Sequence, residues 1–435
     1  MIDDDSPLAI LNQLIRIPSQ NPMGQDHRGP EWCEQGMSDW LCRFFAGHNI
    51  PHRYDQIEPG RGNVIARLDG DPDRPTLLLD AHQDTVPAAG MTIDPYQPLE
   101  RDGRVYGRGA CDVKGPMAAI LSTVARLNRE DPRSRANLIL SLTCDEELGQ
   151  IGARDLARRI DGGDALLSPK PDLAIVAEPT DLNVVVAHKG VLRWRIRTSG
   201  IAVHSSRPAL GRNAIYGMAR LIGGLERLAA ELQTESAEHS PSTEHSPSAE
   251  HSPSAEHSLS AEHSLSAEHS LSAEHSLSAE HPLCGRPSLS VGTIRGGESV
   301  NIVPECCVIE IDRRVVPGES FDTILRQTQQ ALADRCGVEF EMLPPDTSCE
   351  PLVDGENDVL ADSLVALAER VSGAAQVIGV AFTTQAPKFA ELGIPTVVFG
   401  PGSIDQAHTK DEWIAIDSLN QGAEILYQFA KQRRW

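Results

Sequence analysis

The chain has 435 residues, 40% hydrophobic and 23% charged, enough to bury one large core or two modest ones. Its 39 Lys plus Arg stand against 62 Asp plus Glu, a formal charge of −23, which argues against a phosphate backbone or an anionic membrane as the main partner and leaves cation binding open. No stretch approaches the about 18 consecutive apolar residues of a membrane helix, and the start MIDDDSPLAI is acidic where a secretory signal is basic and then apolar, so a cytoplasmic protein is expected. The nine cysteines, 33, 42, 111, 144, 284, 306, 307, 336 and 349, include no C-x-x-C and are odd in number, a pattern of reduced structural thiols.

In chain order, Asn63 to Leu68 and Thr76 to Ala81 read as strands, Gly115 to Asn128 as a helix, and Asn137 to Thr143 and Leu173 to Ala177 as strands. This is the alternation of an α/β layered domain, in which functional residues gather beyond the carboxyl ends of strands. The rhythm then changes. Lys189 to Thr198 (strand), Asn213 to Leu232 (helix), Leu289 to Arg295 and Cys306 to Val315 (strands), Phe321 to Ala333 (helix) and Val338 to Leu343 (strand) make a compact βαββαβ unit. The α/β pattern resumes with Asp358 to Val371 helical, Thr396 to Phe399 a strand and Ile416 to Lys431 a closing helix. One α/β domain, 1–187 and 347–435, is thus expected to be interrupted by an inserted α+β domain, 188–346.

Inside that insertion a six-residue unit, SAEHSP and then SAEHSL, recurs over 235–281 and holds eight of the fifteen histidines and nine Glu with no Lys or Arg. Such a composition cannot build a core and reads as a disordered, solvated linker. A noncatalytic metal-binding role for the histidines is the competing reading, since a period of six aligns them on a polyproline II helix of three residues per turn.

Five motifs carry chemistry. In LLLDAHQDTVP, His82 and Asp84 follow an apolar strand two apart; Asp84 can hold the second ring nitrogen of His82 through its carboxylate, or orient it through the backbone. In YGRGACDVKG, glycines permit a tight turn and Asp112 arrives just before a helix, a position that also suits an N-cap. In LTCDEELG, Glu146 and Glu147 are successive, so one can ligate a metal while the other faces an attacking water. Glu178 of AIVAEPTD and His408 of GPGSIDQAHTKDE complete a set of five donors at strand ends or in the loops after them: His82, Asp112, Glu147, Glu178 and His408. Two divalent metals, three carboxylates and one bridging hydroxide sum to neutrality, and imidazole plus carboxylate without thiolate suits zinc, with cobalt or manganese as substitutes.

The order H-x-D, G-R-G-x-x-D-x-K-G, E-E, E-P-T, G-P-G-S-x-x-x-A-H resembles the dinuclear zinc metallohydrolases of the acetylornithine deacetylase and succinyl-diaminopimelate desuccinylase family, from about Leu8 to the C-terminus outside the repeat. The tail AFTTQAPKFAELGIPTVVFGPGSIDQAHTKDE is most similar to its acetylornithine-cleaving members. The resemblance implies a zinc-peptidase-like mixed sheet flanked by helices, with the insertion serving as lid and dimerisation domain of a homodimer. It implies one metal on His82, Asp112 and Glu178 and another on Asp112, Glu147 and His408, with Asp84 orienting His82 and Glu146 as general base. His204 would reach the reaction centre from the partner subunit as an oxyanion stabiliser, and Asn301, Arg314 and Thr384 would sit on the substrate side, Arg313 pointing away. The implied reaction is hydrolysis of a linear amide, N-acetylornithine to ornithine plus acetate as in arginine biosynthesis, with desuccinylation or metallo-dipeptidase and carboxypeptidase activity as alternatives. Relatives usually carry an acidic residue where this chain has Gln385, a departure that bears on recognition of a basic substrate side chain. His188, before Lys189 and Gly190 at the domain junction, reads as hinge packing, with a substrate contact as the alternative.

Overall fold

The structure, a computed structural model, describes residues 4–27, 29–234 and 280–433, so nearly all of the repeat, 235–279, lies outside the described residues. Eight strands form the larger sheet in the order His52–Glu58, Arg61–Leu68, Asn137–Thr143, Thr76–His82, Leu173–Val176, Thr396–Val398, Val184–His188, Val377–Val380. It is mixed: Thr76–His82 is parallel to both its neighbours and Leu173–Val176 is parallel to Thr396–Val398, whereas Arg61–Leu68 is antiparallel on both sides.

The central strands are apolar at nearly every position because both faces are covered. Leu77, Leu79, Leu138 and Leu140 point into one core with the helices Pro7–Ile15, Lys114–Asn128, Asp358–Ser372 and Ile416–Lys431. Leu78 and Ile139, one residue out of phase, point into a second core with Leu156 of the helix Ile151–Asp161 and with Phe389. The result is a three-layer sandwich in which Asn137–Thr143, Thr76–His82, Leu173–Val176 and Thr396–Val398 open their carboxyl ends on one side, while Val184–His188 and Val377–Val380, parallel to each other, run the opposite way.

The chain leaves this sheet after Val184–His188, and Lys189 alone separates it from the first strand of the insertion, Gly190–Ser199. The return crosses beside the exit, with His188 N–H donating to the Leu352 carbonyl at 3.2 Å and Leu352 N–H to the His188 carbonyl at 3.1 Å. The His188 ring is buried at this crossing, its Nδ1 2.9 Å from the Lys189 carbonyl and its Nε2 3.0 Å from Thr384 Oγ1. Burial pushes its pKa down to about 4, so it packs at the crossing as a neutral ring.

The inserted sheet is antiparallel, in the order Ser288–Gly296, Cys306–Val315, Gly190–Ser199, Glu341–Met342. Leu192, Trp194, Ile196, Ile309 and Ile311 alternate inward beneath the helices Ala214–Gln233 and Phe321–Cys336. The intervening Arg193, Arg195, Arg197, Glu310, Asp312 and Arg314 therefore line the opposite, uncovered face. The spacing predicts four strands; among the described residues there are five. Pro344 and Pro345 cannot donate to the ladder and split the last strand, so Thr347–Cys349 adds a second short segment on Gly190–Ser199. The pairing keeps the chain in this sheet past residue 346. Among the described residues no helix is long and apolar enough to cross a membrane.

Candidate metal centre

His82 ends a strand with no exposed residue, which fixes its backbone in the sheet. Its Nδ1 lies 2.9 Å from the Asp84 carbonyl and 3.6 Å from the Asp84 carboxylate, so the backbone is the nearer of the two partners open in the sequence. A ring that donates from Nδ1 keeps the lone pair on Nε2, which points 3.1 Å from Asp112 Oδ1. The Asp84 carboxylate has other work: it accepts from the N–H of Glu146 (3.0 Å), the N–H of Glu147 (3.1 Å) and Asn21 Nδ2 (2.8 Å), pinning the Glu146–Glu147 loop beside His82.

Asp112 lies between the two imidazoles. Its Oδ1 faces His82, and its Oδ2 is 3.3 Å from Nε2 of His408, which also sits 3.2 Å from Glu147 Oε2. Glu178 Oε1 is 4.0 Å from His82 Nε2. Ligand atoms of His82, Asp112 and Glu147 lie within 4.8 Å of one another, and so do those of His82, Glu146 and Glu178. The structure thus brings all five sequence-derived donors and Glu146 into one cluster.

The electrostatics are those of a cation site. Asp112, Glu146, Glu147 and Glu178 converge with no Lys or Arg ion pair to any of them among the described residues. Burial pushes Glu147 and Glu178 up, and the Asp112 charge adds to it; burial also raises Glu146. Burial alone would raise Asp112 as well, but hydrogen bonds to His408 and His82 hold it below the usual carboxylate range. His408 is driven up to about 11 by Asp112 and Glu147, and His82 stands well above 6.5 because Asp112 and Asp84 outweigh its burial. Buried acids sharing histidines in this way fit two divalent ions, and the N and O donor set suits zinc.

Glu412 ends the motif GPGSIDQAHTKDE, but no spacing there gives it a role. Its buried carboxylate accepts from the N–H groups of Gly109, Cys111 and Asp112, each at 2.9 Å, and pairs with Arg108 at 2.7 Å. It lies four residues after His408, so one side chain ties the loop of Asp112 to the loop of His408. Glu412→Gln should keep the fold and weaken metal binding about 10–100-fold, the usual cost of losing a group that orients a ligand, as read by competition with a metal-sensitive dye. Unchanged affinity would make Glu412 a loop brace only.

The substrate-side residues divide. Arg314 lines a cavity of about 360 Å³ shared with Asp112, Glu146, Glu147, Glu178 and His408. Arg313 turns away to Glu319 at 2.6 Å. Thr384 does not reach the cavity: it is buried against His188, and its neighbour Thr383 lines the wall in its place. The side-chain direction reverses over one residue in a segment without regular structure, so spacing could not settle it. Gln385 is also off the cavity, buried with its amide on Thr143 Oγ1 and Asp80. His204 and Asn301 sit together, away from the metal cavity of their own chain, where Ser205 N–H donates to the Asn301 carbonyl at 2.9 Å and His204 Nδ1 meets Ser206 Oγ at 2.8 Å.

The model of the peptidase family M20/M25/M40 matches residues 78–432. The chain belongs to that family. This M20 chain is 31% identical over 415 residues to an acetylornithine deacetylase of Vibrio campbellii, covering 91% of this chain and 92% of that one. It is 31% identical over 405 residues to the protein of the same name from Aliivibrio salmonicida, covering 92% and 89%. Among solved structures it shares its fold with a tripeptidase from Staphylococcus aureus (TM-score 0.70, 20% identity, 99% of this chain and 98% of that one). The same holds for an M20 metallo-carboxypeptidase from Sulfolobus solfataricus (0.72, 19%, 98% and 99%). M20 proteins are metallohydrolases, and the mixed sheet with an inserted α+β domain is their architecture.

Proposed function

We propose that this M20 metallohydrolase is a dinuclear zinc amidohydrolase that removes the acyl group from an N-acyl amino acid, with N-acetylornithine as the reference substrate. The observation that carries the reading is Asp112, whose two oxygens face His82 and His408 with Glu146 close by. The names of the curated relatives support deacylation, and a structural neighbour described as a dinuclear metal binding peptidase from Bacillus subtilis supports the metal count.

His82, Asp112 and Glu178 would hold one zinc and Asp112, Glu147 and His408 the other, with cobalt or manganese able to substitute; the pair would lower the pKa of a shared water and polarise the scissile carbonyl. Glu146 takes the proton of the attacking water and delivers it to the departing amine. Asp84 holds His82 and the glutamate loop in place. Acetate release from N-acetyl-L-ornithine by the zinc-loaded protein, lost on chelation and restored by zinc, tests the assignment; no release from any N-acyl amino acid would overturn it.

That His204 is not among the residues lining its own metal cavity supports a homodimer in which it serves the neighbouring site. Around it the inserted domain exposes Ile201, Leu210, Tyr216, Ile294, Val300 and Ile302, and Ser288–Gly296 is an open sheet edge. His204→Ala and Glu146→Gln should each be inactive. Because a mixed symmetric dimer holds one intact site, mixing the two variants should restore roughly a quarter of wild-type activity. No recovery in a mixture shown to exchange subunits would place His204 outside the reaction.

A further inference from the structure

We propose that the cavity takes a dianionic N-acyl amino acid, with one carboxylate held by Arg314 and a second by Arg193 and Arg154. The inference rests on the deacylase reading above and narrows its substrate class, away from the cationic side chain in the relatives' name.

The geometry follows from strand pairing. Arg193 and Asp312 are direct partners across two strands, and Arg314 lies two residues beyond Asp312, so all three stand on the uncovered face of the inserted sheet. That face meets the metal centre across the cavity, with Arg193 and Arg314 in its wall and Arg154 reaching it from the helix Ile151–Asp161 of the other domain. Asp312 holds both sheet arginines through Nε, Arg193 at 2.7 Å and Arg314 at 2.9 Å. No other hydrogen bond of either guanidinium occurs among the described residues, so their terminal nitrogens remain for a ligand, in the fork that matches a carboxylate.

The charges decide the class. Three guanidiniums and Asp312 leave this wall at +2, while the carboxylates that line the cavity are Asp112, Glu146, Glu147 and Glu178, all committed to the metal side. The α-carboxylate of any N-acyl amino acid neutralises one positive charge. A side-chain ammonium would then face the other with no further acid among the described residues that line the cavity, since Glu350, just outside it, is paired with Lys388, and Gln385 is buried out of reach. A second carboxylate, on the side chain or at the end of the acyl group, completes the balance.

The test is a panel on the zinc-loaded protein: N-acetyl-L-ornithine, N-acetyl-L-norvaline, N-acetyl-L-glutamate and N-succinyl-L-norvaline. At least one of the two dianions should exceed both other substrates in kcat/KM by about 10–100-fold, the worth of one added charge-assisted pair. Which dianion leads tells whether the second carboxylate sits on the amino-acid or the acyl side. Arg193→Met and Arg154→Gln should each shrink the dianion-to-neutral ratio by a similar factor. Calorimetric binding of the same panel to Glu146→Gln should give the same ranking without turnover. Preference for N-acetyl-L-ornithine, or ratios unmoved in both variants, overturns this inference and leaves the deacylase intact. Hydrolysis of none of the four overturns the deacylase reading itself.

Discussion

Glu146→Gln is expected to lower kcat by about 10²–10⁴-fold, the span typical of losing a general base, while the protein keeps its metals and its melting temperature. Gln preserves the shape of the side chain and its contact with Gln150, whose Nε2 donates to Glu146 Oε1 at 3.2 Å. What it removes is the ability to accept the proton of the attacking water. Metal content separates this loss from a ligand's: Glu147→Gln, one residue on and 3.2 Å from His408, should lose turnover together with about one metal per chain. Wild-type turnover in Glu146→Gln would remove it from the chemistry and leave the proton to another group. KM should change little, since the base acts on the water and not on the bound substrate.

The central strands and the strand-end donors were legible because both follow from local patterns. A strand buried on both faces, such as Leu77–Leu79 between the two cores, reads as an apolar run, and His82, Glu146 and Glu178 follow such runs within a few residues. The periphery was not. His52–Glu58 is an edge strand whose HRYDQIE has no clean alternation, since water reaches one side and ion pairs such as Arg53 with Asp55 occupy it. Gln35–Gly47 interleaves Ser, Asp and Arg with its buried Met37, Leu41 and Phe44, which blurs the helical stripe. Two kinds of site information were absent altogether. The reach of Glu412 to Asp112 spans 300 residues of chain, and no local spacing encodes such a bond. The arginine wall depends on the register of Gly190–Ser199 against Cys306–Val315, which sets Arg193 opposite Asp312 and is a tertiary fact. Thr384 shows the limit from the other side: the sequence marks the segment, but which of two adjacent threonines faces the cavity depends on backbone direction in an irregular stretch.

Metal removal should reverse the pH dependence of stability. In the metal-free protein Glu147 and Glu178 hold their protons more tightly folded than unfolded, so their effect on stability worsens as pH rises from 4.5 through their raised folded values. His82 and His408 are raised above 6.5, and the stability they contribute is fully present below 6.5 and fades as pH climbs towards the folded value, about 11 for His408. Asp112 and the buried His188 are shifted the other way: the contribution of Asp112 is lost only as pH falls below 3.8, and His188, lowered to about 4, opposes the trend between about 4 and 6.5 and is outweighed by the several raised acids. The metal-free protein should therefore lose melting temperature steadily from about pH 5 to about pH 9. Zinc needs neutral imidazoles and ionised carboxylates, so its binding strengthens over the same range, and free zinc at a thousand times Kd adds about 4 kcal/mol per site. The gap between chelated and zinc-loaded melting curves should widen with pH. Glu178→Gln removes one of the strained carboxylates; it should raise the melting temperature of the metal-free form, flatten its pH slope and cut zinc affinity. A metal-free wild type that grows more stable with rising pH, or a Glu178→Gln variant less stable than it, would mean that these acids do not form the uncompensated anionic cluster on which two cations would rest.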